Sequence, residues 1–421
     1  MLKTEKECID YIHSVGRFGK KAGLCNIKAL LTALGNPQRE LKCIHIAGTN
    51  GKGSVSSMLT NILVAAGYRV GMNTSPFIEV FNERITLNGI NIPGDRLIYY
   101  TNLVAETIKS LKDINPIEFE IITAISFLYF RDEGCDYAVV ECGLGGLYDC
   151  TNVIENPELC VIASIGLDHT EILGDTIEKI AFQKAGIIKD GCSVVTHPEI
   201  TSDAMTVIAA EAKRKNARLV PTSRNYEIVS AALDGTVVRI GDRELGLKLL
   251  GNYQAGNAAL AVNAAIQLGI SDSVIAEGIK RTEWKCRFEL ADNNVIIDGA
   301  HNYQGICAFR DSVEMYGANA ARVFVIGMLN DKDFDSCARV LASMEGKFII
   351  TDVPSIRQTS GQRVYERIKE YIPDARYVPD LEDAVELAID MAGDDGMVYT
   401  AGSLYLAGAI RTYVKSRKKL S

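Results

Sequence analysis

From Leu41 onward, short runs of β-branched and other apolar residues alternate with longer stretches whose apolar positions recur at helical spacing. That alternation predicts a parallel sheet covered by helices, an α/β fold. Residues 42–47, 68–72, 136–141, 160–165 and 193–196 are expected as strands, each short and apolar enough to be a buried sheet member. Between 226 and 248 polar and apolar residues alternate around Asp234-Gly235 and Gly241-Asp242, the signature of antiparallel hairpins, expected as an appendage of the first domain. After Trp284 the strand–helix alternation restarts, with strands expected at 295–297, 323–326, 348–350 and 398–400. A polar run at 291–294 precedes the new strand and predicts a seam there, giving domains 1–291 and 292–421.

Composition agrees with two soluble units. A chain of 421 residues is long for one core, and 47% hydrophobic with 23% charged residues is ordinary for a globular protein. The first residues, Met-Leu-Lys-Thr-Glu-Lys-Glu-Cys, carry charge where a secretory signal is apolar, and even the apolar stretch 121–130 stops at Arg131. A cytoplasmic protein with no membrane partner is therefore expected. The eleven cysteines, scattered from Cys8 to Cys337 without a C-x-x-C pair, read as small buried hydrophobes rather than disulfides or zinc ligands. A net charge of −8 excludes the basic footprint of a nucleic-acid binder, and the Lys415, Arg417, Lys418, Lys419 tail reads as solvated.

The segment Gly48-Thr49-Asn50-Gly51-Lys52-Gly53-Ser54 follows an expected strand and opens a helix expected to run through Val64. Its glycines let backbone N–H groups converge on an anion, the helix N-terminus adds positive potential, Lys52 reaches β/γ-phosphates and Ser54 offers a hydroxyl to magnesium. The general phosphate-loop pattern is not met strictly, because Ile46 stands at its first glycine and Gly53 follows the lysine.

This loop resembles that of the Mur-type amide ligases, in the form of the folylpolyglutamate and dihydrofolate synthase branch. Further matches follow in order: Thr74-Ser75-Pro76, Glu83-Arg84-Ile85, Glu141 to Gly146, Asp149, Thr151-Asn152, Leu167-Asp168-His169, Leu173-Gly174 and Lys184 to Ile187. Gln254, Asn257-Ala258-Ala259, Arg287, Asp298 to Asn302, Asp331-Lys332-Asp333 and Gly402-Ser403-Leu404 continue them through both expected domains. The resemblance implies an N-terminal ATPase domain with a parallel-rich sheet and a small antiparallel part, followed by a Rossmann-like α/β C-terminal domain. It implies a monomeric ligase using ATP and Mg2+ at two sites to join L-glutamate to a folate or dihydropteroate carboxylate through an acyl phosphate. Such activation is needed because oxide is a poor leaving group, and the phosphoryl transfer calls for positioning and charge neutralisation. Ser75, Glu141 and His169 match the family's metal contacts, beside Ser54. Lys184 matches a lysine carbamylated by carbon dioxide, which becomes a carboxylate-like ligand. Asn257 is assigned to adenine, Arg287 to phosphate and Asp298 to ribose, with the nucleotide expected across the seam, and His301 and Ser403 to the incoming glutamate.

On the pteridine side the resemblance points to Phe119, Tyr148, Asp149 and Cys150. An aromatic ring can stack on the flat heterocycle, and a carboxylate can accept from a 2-amino-pyrimidinone edge. Two departures fall here: Leu147 replaces the family's usual arginine, and Phe77-Ile78 stands where His-Leu is common. Both bear on the choice of folate. Two alternatives share some of these features: a Mur-type ligase acting on a cell-wall precursor, and a phosphate-loop ATPase switch.

Overall fold

The computed structural model describes residues 1–16, 23–111, 114–317, 321–329, 334–354 and 361–417; Asp331, Lys332, Asp333, Lys418 and Lys419 lie outside them. The chain divides into two compact units. The first comprises Met1–Gly166, Thr170–Asn225 and Gly256–Thr282; the second takes Leu167–His169, Tyr226–Ala255 and the residues from Glu283 onward.

The first unit is built on eight strands: β1 (Lys42–Ala47), β2 (Val70–Asn73), β3 (Ile85–Leu87), β4 (Ile90–Asn91), β5 (Tyr137–Glu141), β6 (Leu159–Ile162), β7 (Ser193–Thr196) and β8 (Arg218–Pro221). They lie in the order β4-β3-β2-β5-β1-β6-β7-β8. The sheet is parallel from β2 to β8, while β3 and β4 add an antiparallel edge. β1 is central and buried at every position but Lys42, as its apolar run requires. β2 starts two residues later than expected because the preceding helix, Lys52–Ala65, ends in a glycine cap: Gly67 has φ +89° and Tyr68 N–H donates to Leu63 O at 3.1 Å. One sheet face is covered by the helix Glu118–Asp132, buried from Glu120 to Phe130, and Gly71 on β2 leaves room for the Phe130 ring.

The second unit has an antiparallel sheet, β9 (Tyr226–Ala232), β10 (Gly235–Ile240) and β11 (Arg243–Leu247), in the order β11-β10-β9. Its larger sheet contains β12 (Glu289–Asp292), β13 (Val295–Ile297), β14 (Arg322–Ile326), β15 (Lys347–Ile350), β16 (Arg376–Tyr377) and β17 (Met397–Ala401), ordered β12-β13-β17-β14-β15-β16 and parallel except for β12. An aromatic core holds it, with the Phe324 ring stacked on Phe348 at 4.7 Å and on Tyr399 at 5.6 Å.

The hairpins at 226–248 form as the alternation predicts, but they do not belong to the first unit. Ala231, Leu233 and Leu250 pack into the aromatic core of the second unit, and Thr236 Oγ1 is 2.6 Å from the Tyr316 hydroxyl. The run at 291–294 is likewise no linker: Ala291 and Asp292 end β12 and residues 293–294 turn into β13, where turn chemistry imitates a domain boundary.

Among the described residues no helix is long and apolar enough to cross a membrane, and no disulfide joins the eleven cysteines.

Candidate active site

In the first unit the carboxyl ends of β5, β1 and β6 release three adjacent loops. β1 runs into the phosphate loop, β5 ends at Glu141 and leads into the glycine loop 143–146, and β6 leads to Ala163–Gly166. This is the edge where α/β sheets collect ligands. The loop's shape needs two of its glycines. Gly48 rests on Ala163, whose Cβ would stand 2.7 Å from any Cβ there, and Gly51 has φ +84° and lies against the Asn257 side-chain oxygen. Thr49 ties the loop to the next one: its N–H donates to Ser164 O at 2.7 Å, and its hydroxyl donates to Gly166 O at 3.0 Å.

Both expected lysines converge on this loop. Lys52 Nζ donates to Gly48 O at 3.1 Å and to Thr49 O at 3.2 Å, and stands 3.8 Å from Glu141 Oε1. Lys184 sits at the end of the helix Ile177–Ala185, 3% exposed, and its Nζ donates to the same Gly48 carbonyl at 2.8 Å. The Glu141 carboxylate stands beside this lysine pair, and the loop's convergent N–H groups and helix N-terminus favour an anion there. The buried Glu141 carboxylate also accepts from Ser75 N–H at 3.4 Å, and Ser54 is buried on the first turn of the helix. Ser54, Ser75 and Glu141 provide hard oxygen atoms around the phosphate loop, which suits magnesium. Among the described residues no three His, Cys, Asp or Glu side chains form a metal cage. Magnesium needs none, since it keeps water and phosphate oxygens as ligands.

The glycine loop lies against Phe119: a Cβ at Gly143 would meet Phe119 Cε1 at 2.6 Å. Tyr148 is exposed and Cys150 is buried, 3.6 Å from Thr123 Oγ1. Asp149 is 5% exposed and works on its own loop. Its Oδ2 accepts from Leu144 N–H at 2.8 Å, and its Oδ1 accepts from Thr151 N–H at 3.0 Å and from the Thr151 hydroxyl at 2.5 Å. Burial pushes its carboxyl up, against the pull of these donors. Leu147 packs on Gly186, two residues past Lys184, and Phe77 lies under the Arg84 guanidinium at 5.6 Å.

In the second unit Asp298 is the organiser. It is buried, and its oxygens accept from Ala300 N–H at 2.6 Å, Phe288 N–H at 2.8 Å and the Tyr253 hydroxyl at 2.7 Å. Burial raises its carboxyl and the Tyr253 phenol alike. The Phe288 bond secures a strained turn, for Cys286 and Phe288 on either side of Arg287 both have left-handed backbones, at φ +55° and +50°. Arg287 lies against Gly299. His301 Nδ1 donates to Gly299 O at 2.7 Å, and its Nε2 stands 3.9 Å from Asp168 Oδ2. Asp168 also accepts from Asn302 Nδ2 at 2.8 Å, while His169, exposed with φ +50°, groups with this unit rather than with Glu141. Ser403 is buried, and its hydroxyl accepts from Tyr405 N–H at 3.2 Å in the first turn of the helix Leu404–Arg417.

Sequence reading left Tyr253 and His45 without roles. Tyr253 had only its place beside Gln254 to mark it. His45 had a clearer signal, a polar residue inside an otherwise apolar central strand.

Residues 46–265 match the Mur ligase middle domain and residues 281–404 the glutamate ligase domain of Mur ligases. The dihydrofolate synthase/folylpolyglutamate synthase of Bacillus subtilis is 33% identical, over 99% of this chain and 100% of its own length. Folylpolyglutamate synthase of Mycobacterium tuberculosis, solved with ADP, superposes with a TM-score of 0.89 at 29% identity, over 97% of this chain and 98% of that one. Escherichia coli FolC, solved with DHPP and ADP, gives a TM-score of 0.88 at 26% identity, over 99% of each chain. With both Mur ligase domains present and full-length relatives of that name, the chain belongs to the folylpolyglutamate and dihydrofolate synthase family of Mur ligases.

Proposed function

We propose that this protein is an ATP-dependent ligase that joins the amine of L-glutamate to a folate-type carboxylate through an acyl phosphate, releasing ADP and phosphate. The observation that carries the reading is the meeting of Lys52 and Lys184 on the Gly48 carbonyl, beside buried Glu141, at a phosphate loop. ADP-bound structures among its relatives support the nucleotide, and the DHPP bound by E. coli FolC supports a pteridine acceptor.

Lys52 holds the transferring phosphoryl group, where charge builds as the bond to ADP breaks. The loop amides and the helix N-terminus fix the phosphates so that the acceptor carboxylate meets the γ-phosphorus in line. Mg2+, when bound, neutralises phosphate charge; Ser54, Ser75 and Glu141 would hold one ion, and a carbamate on Lys184 would help hold a second. Carbamylation would turn the Lys184 cation into an anion able to ligate magnesium. Phe119 and the exposed Tyr148 face the pteridine, Asn257 takes adenine and Arg287 takes phosphate. Asp298 holds the turn that presents Arg287, and His301 and Ser403 face the incoming glutamate. The enzyme acts as a cytoplasmic monomer.

The test is ligation itself. Purified protein with ATP, magnesium and glutamate, given dihydropteroate or a reduced folate, should yield a product one glutamyl unit heavier, in step with ADP. ADP release without a heavier product from either acceptor would overturn the reading.

A further inference from the structure

We infer that His45, on the strand that carries the phosphate loop, is a positioning residue: its Nε2–H, through the Thr151 hydroxyl, fixes Asp149 and so the glycine loop beside the acceptor. The inference rests on the proposed acceptor side of the site.

His45 is fully buried in β1, three residues before Gly48. Its Nε2 is 2.8 Å from Thr151 Oγ1 and 3.2 Å from Cys142 Sγ. Thr151 has one hydroxyl proton and three acceptors in reach, Asp149 Oδ1 at 2.5 Å, His45 Nε2 at 2.8 Å and Cys142 Sγ at 3.5 Å. The shorter, charge-assisted bond takes it. Thr151 must therefore accept from His45, so the ring carries its proton on Nε2. The rest of the surroundings agree. His45 Nδ1 is buried without a hydrogen-bond partner, a lesser cost for a bare nitrogen than for an orphaned N–H. Burial, helped by the Lys189 cation, pushes the imidazole down to about 3, so it stays neutral.

Each link bears on the next. With its rotor fixed, Thr151 binds Asp149 through both hydroxyl and amide, leaving Oδ2 for Leu144 N–H in the glycine loop. The same loop abuts Phe119 at Gly143 and continues to Tyr148. Without the His45 donor, the Thr151 hydroxyl loses the partner that fixes its rotor, and Asp149 Oδ1 is held steadily by the Thr151 amide alone. Loop order, and with it acceptor binding, should then fall while the Gly48 loop keeps its own contacts to Ser164 and Gly166.

The experiment combines kinetics with tautomer assignment in the intact protein. His45→Leu removes the donor, Thr151→Val removes the relay at constant shape, and His45→Gln restores an N–H at about the same reach. The KM for the pteridine acceptor should rise about tenfold in the first two, the effect of breaking the hydrogen-bond relay, with the KM for ATP within about twofold. His45→Gln should return to within about threefold of the wild-type enzyme. Long-range 15N correlation of the five histidines should show His45 protonated on Nε2 and bare on Nδ1 from about pH 5 to 8. An Nδ1–H or cationic His45, an unchanged acceptor KM in Thr151→Val, or equal rises for ATP and acceptor would each overturn the inference. If His45→Leu does not fold, Thr151→Val and the spectra still decide it. If the wild-type enzyme ligates neither pteridine, the functional reading falls and the tautomer alone tests the relay.

Discussion

Replacing Lys52 by alanine separates chemistry from architecture. The side chain is 16% exposed, donates to two loop carbonyls at 3.1 and 3.2 Å, and stands 3.8 Å from Glu141. In stability these contacts count for little. Each hydrogen bond contributes about 1 kcal/mol net, and a long ion pair about 0.5 kcal/mol. Against that loss stands relief of the repulsion with Lys184, which donates to the same Gly48 oxygen. A net cost of about 1–2 kcal/mol follows, seen as a melting shift of roughly 3–6 °C in a unit of this size. In the transition state the charge on the transferring phosphoryl group has lost a preorganised donor, a cost of roughly 3–4 kcal/mol, or 10²–10³ in rate. Initial rates of ADP release coupled to glutamylation at saturating ATP, run beside thermal melts, measure both quantities. Retention of activity within tenfold would refute the role given to Lys52. A melt lowered by far more than the contacts allow would instead make the residue structural.

Gly51→Ala must take a left-handed backbone at φ +84° and displace the Asn257 side chain, so ADP affinity by calorimetry should fall about tenfold or more, with about 1–2 kcal/mol lost in stability. Gly143→Ala pushes on the Phe119 ring, and steady-state kinetics should show a raised KM for the pteridine at an unchanged KM for ATP. Acid should destabilise the fold through His197, which burial pushes down to about 4. The unfolded imidazole, near 6.5, takes its proton first, so stability present above about pH 6.5 is lost as pH falls toward 4, by up to roughly 3 kcal/mol. His197→Asn keeps an acceptor for the Glu199 N–H, and its urea midpoint should fall less between pH 7 and 5 than that of the wild-type protein.

Much of this site is legible in the chain because its chemistry is local. A phosphate loop is a strand, a glycine-rich turn and a helix in succession, so Gly48 to Ser54 can be read without knowing what packs around them. β1 and β7 have the expected bounds because buried parallel strands are continuous apolar runs, and each is paired on both sides within its sheet. Helix caps and turns are less visible. Gly67 delays β2, and the run at 291–294 is a strand end and its hairpin turn although its composition is that of a linker.

Asp149 and Asp298 show where local reading stops. The family resemblance assigns both to ligands, and in the structure both also hold backbone amides of their own loops. Composition cannot distinguish a carboxylate aimed at a ligand from one aimed at its own chain, since the donors that decide it include Leu144 and Phe288 amides placed only by folding. The allegiance of the hairpins at 226–248 was hidden for the same reason, because an alternating pattern names a buried face without naming the core that buries it. By itself the sequence determined the fold class, the phosphate loop and the family, all carried by periodicity and contiguous motifs. Only the tertiary structure decided that Lys184 meets Lys52 on one carbonyl and that His45 speaks to Asp149 through Thr151. Those contacts join residues about a hundred or more positions apart, and long-range partners are set by sheet order and loop closure, which no local pattern records.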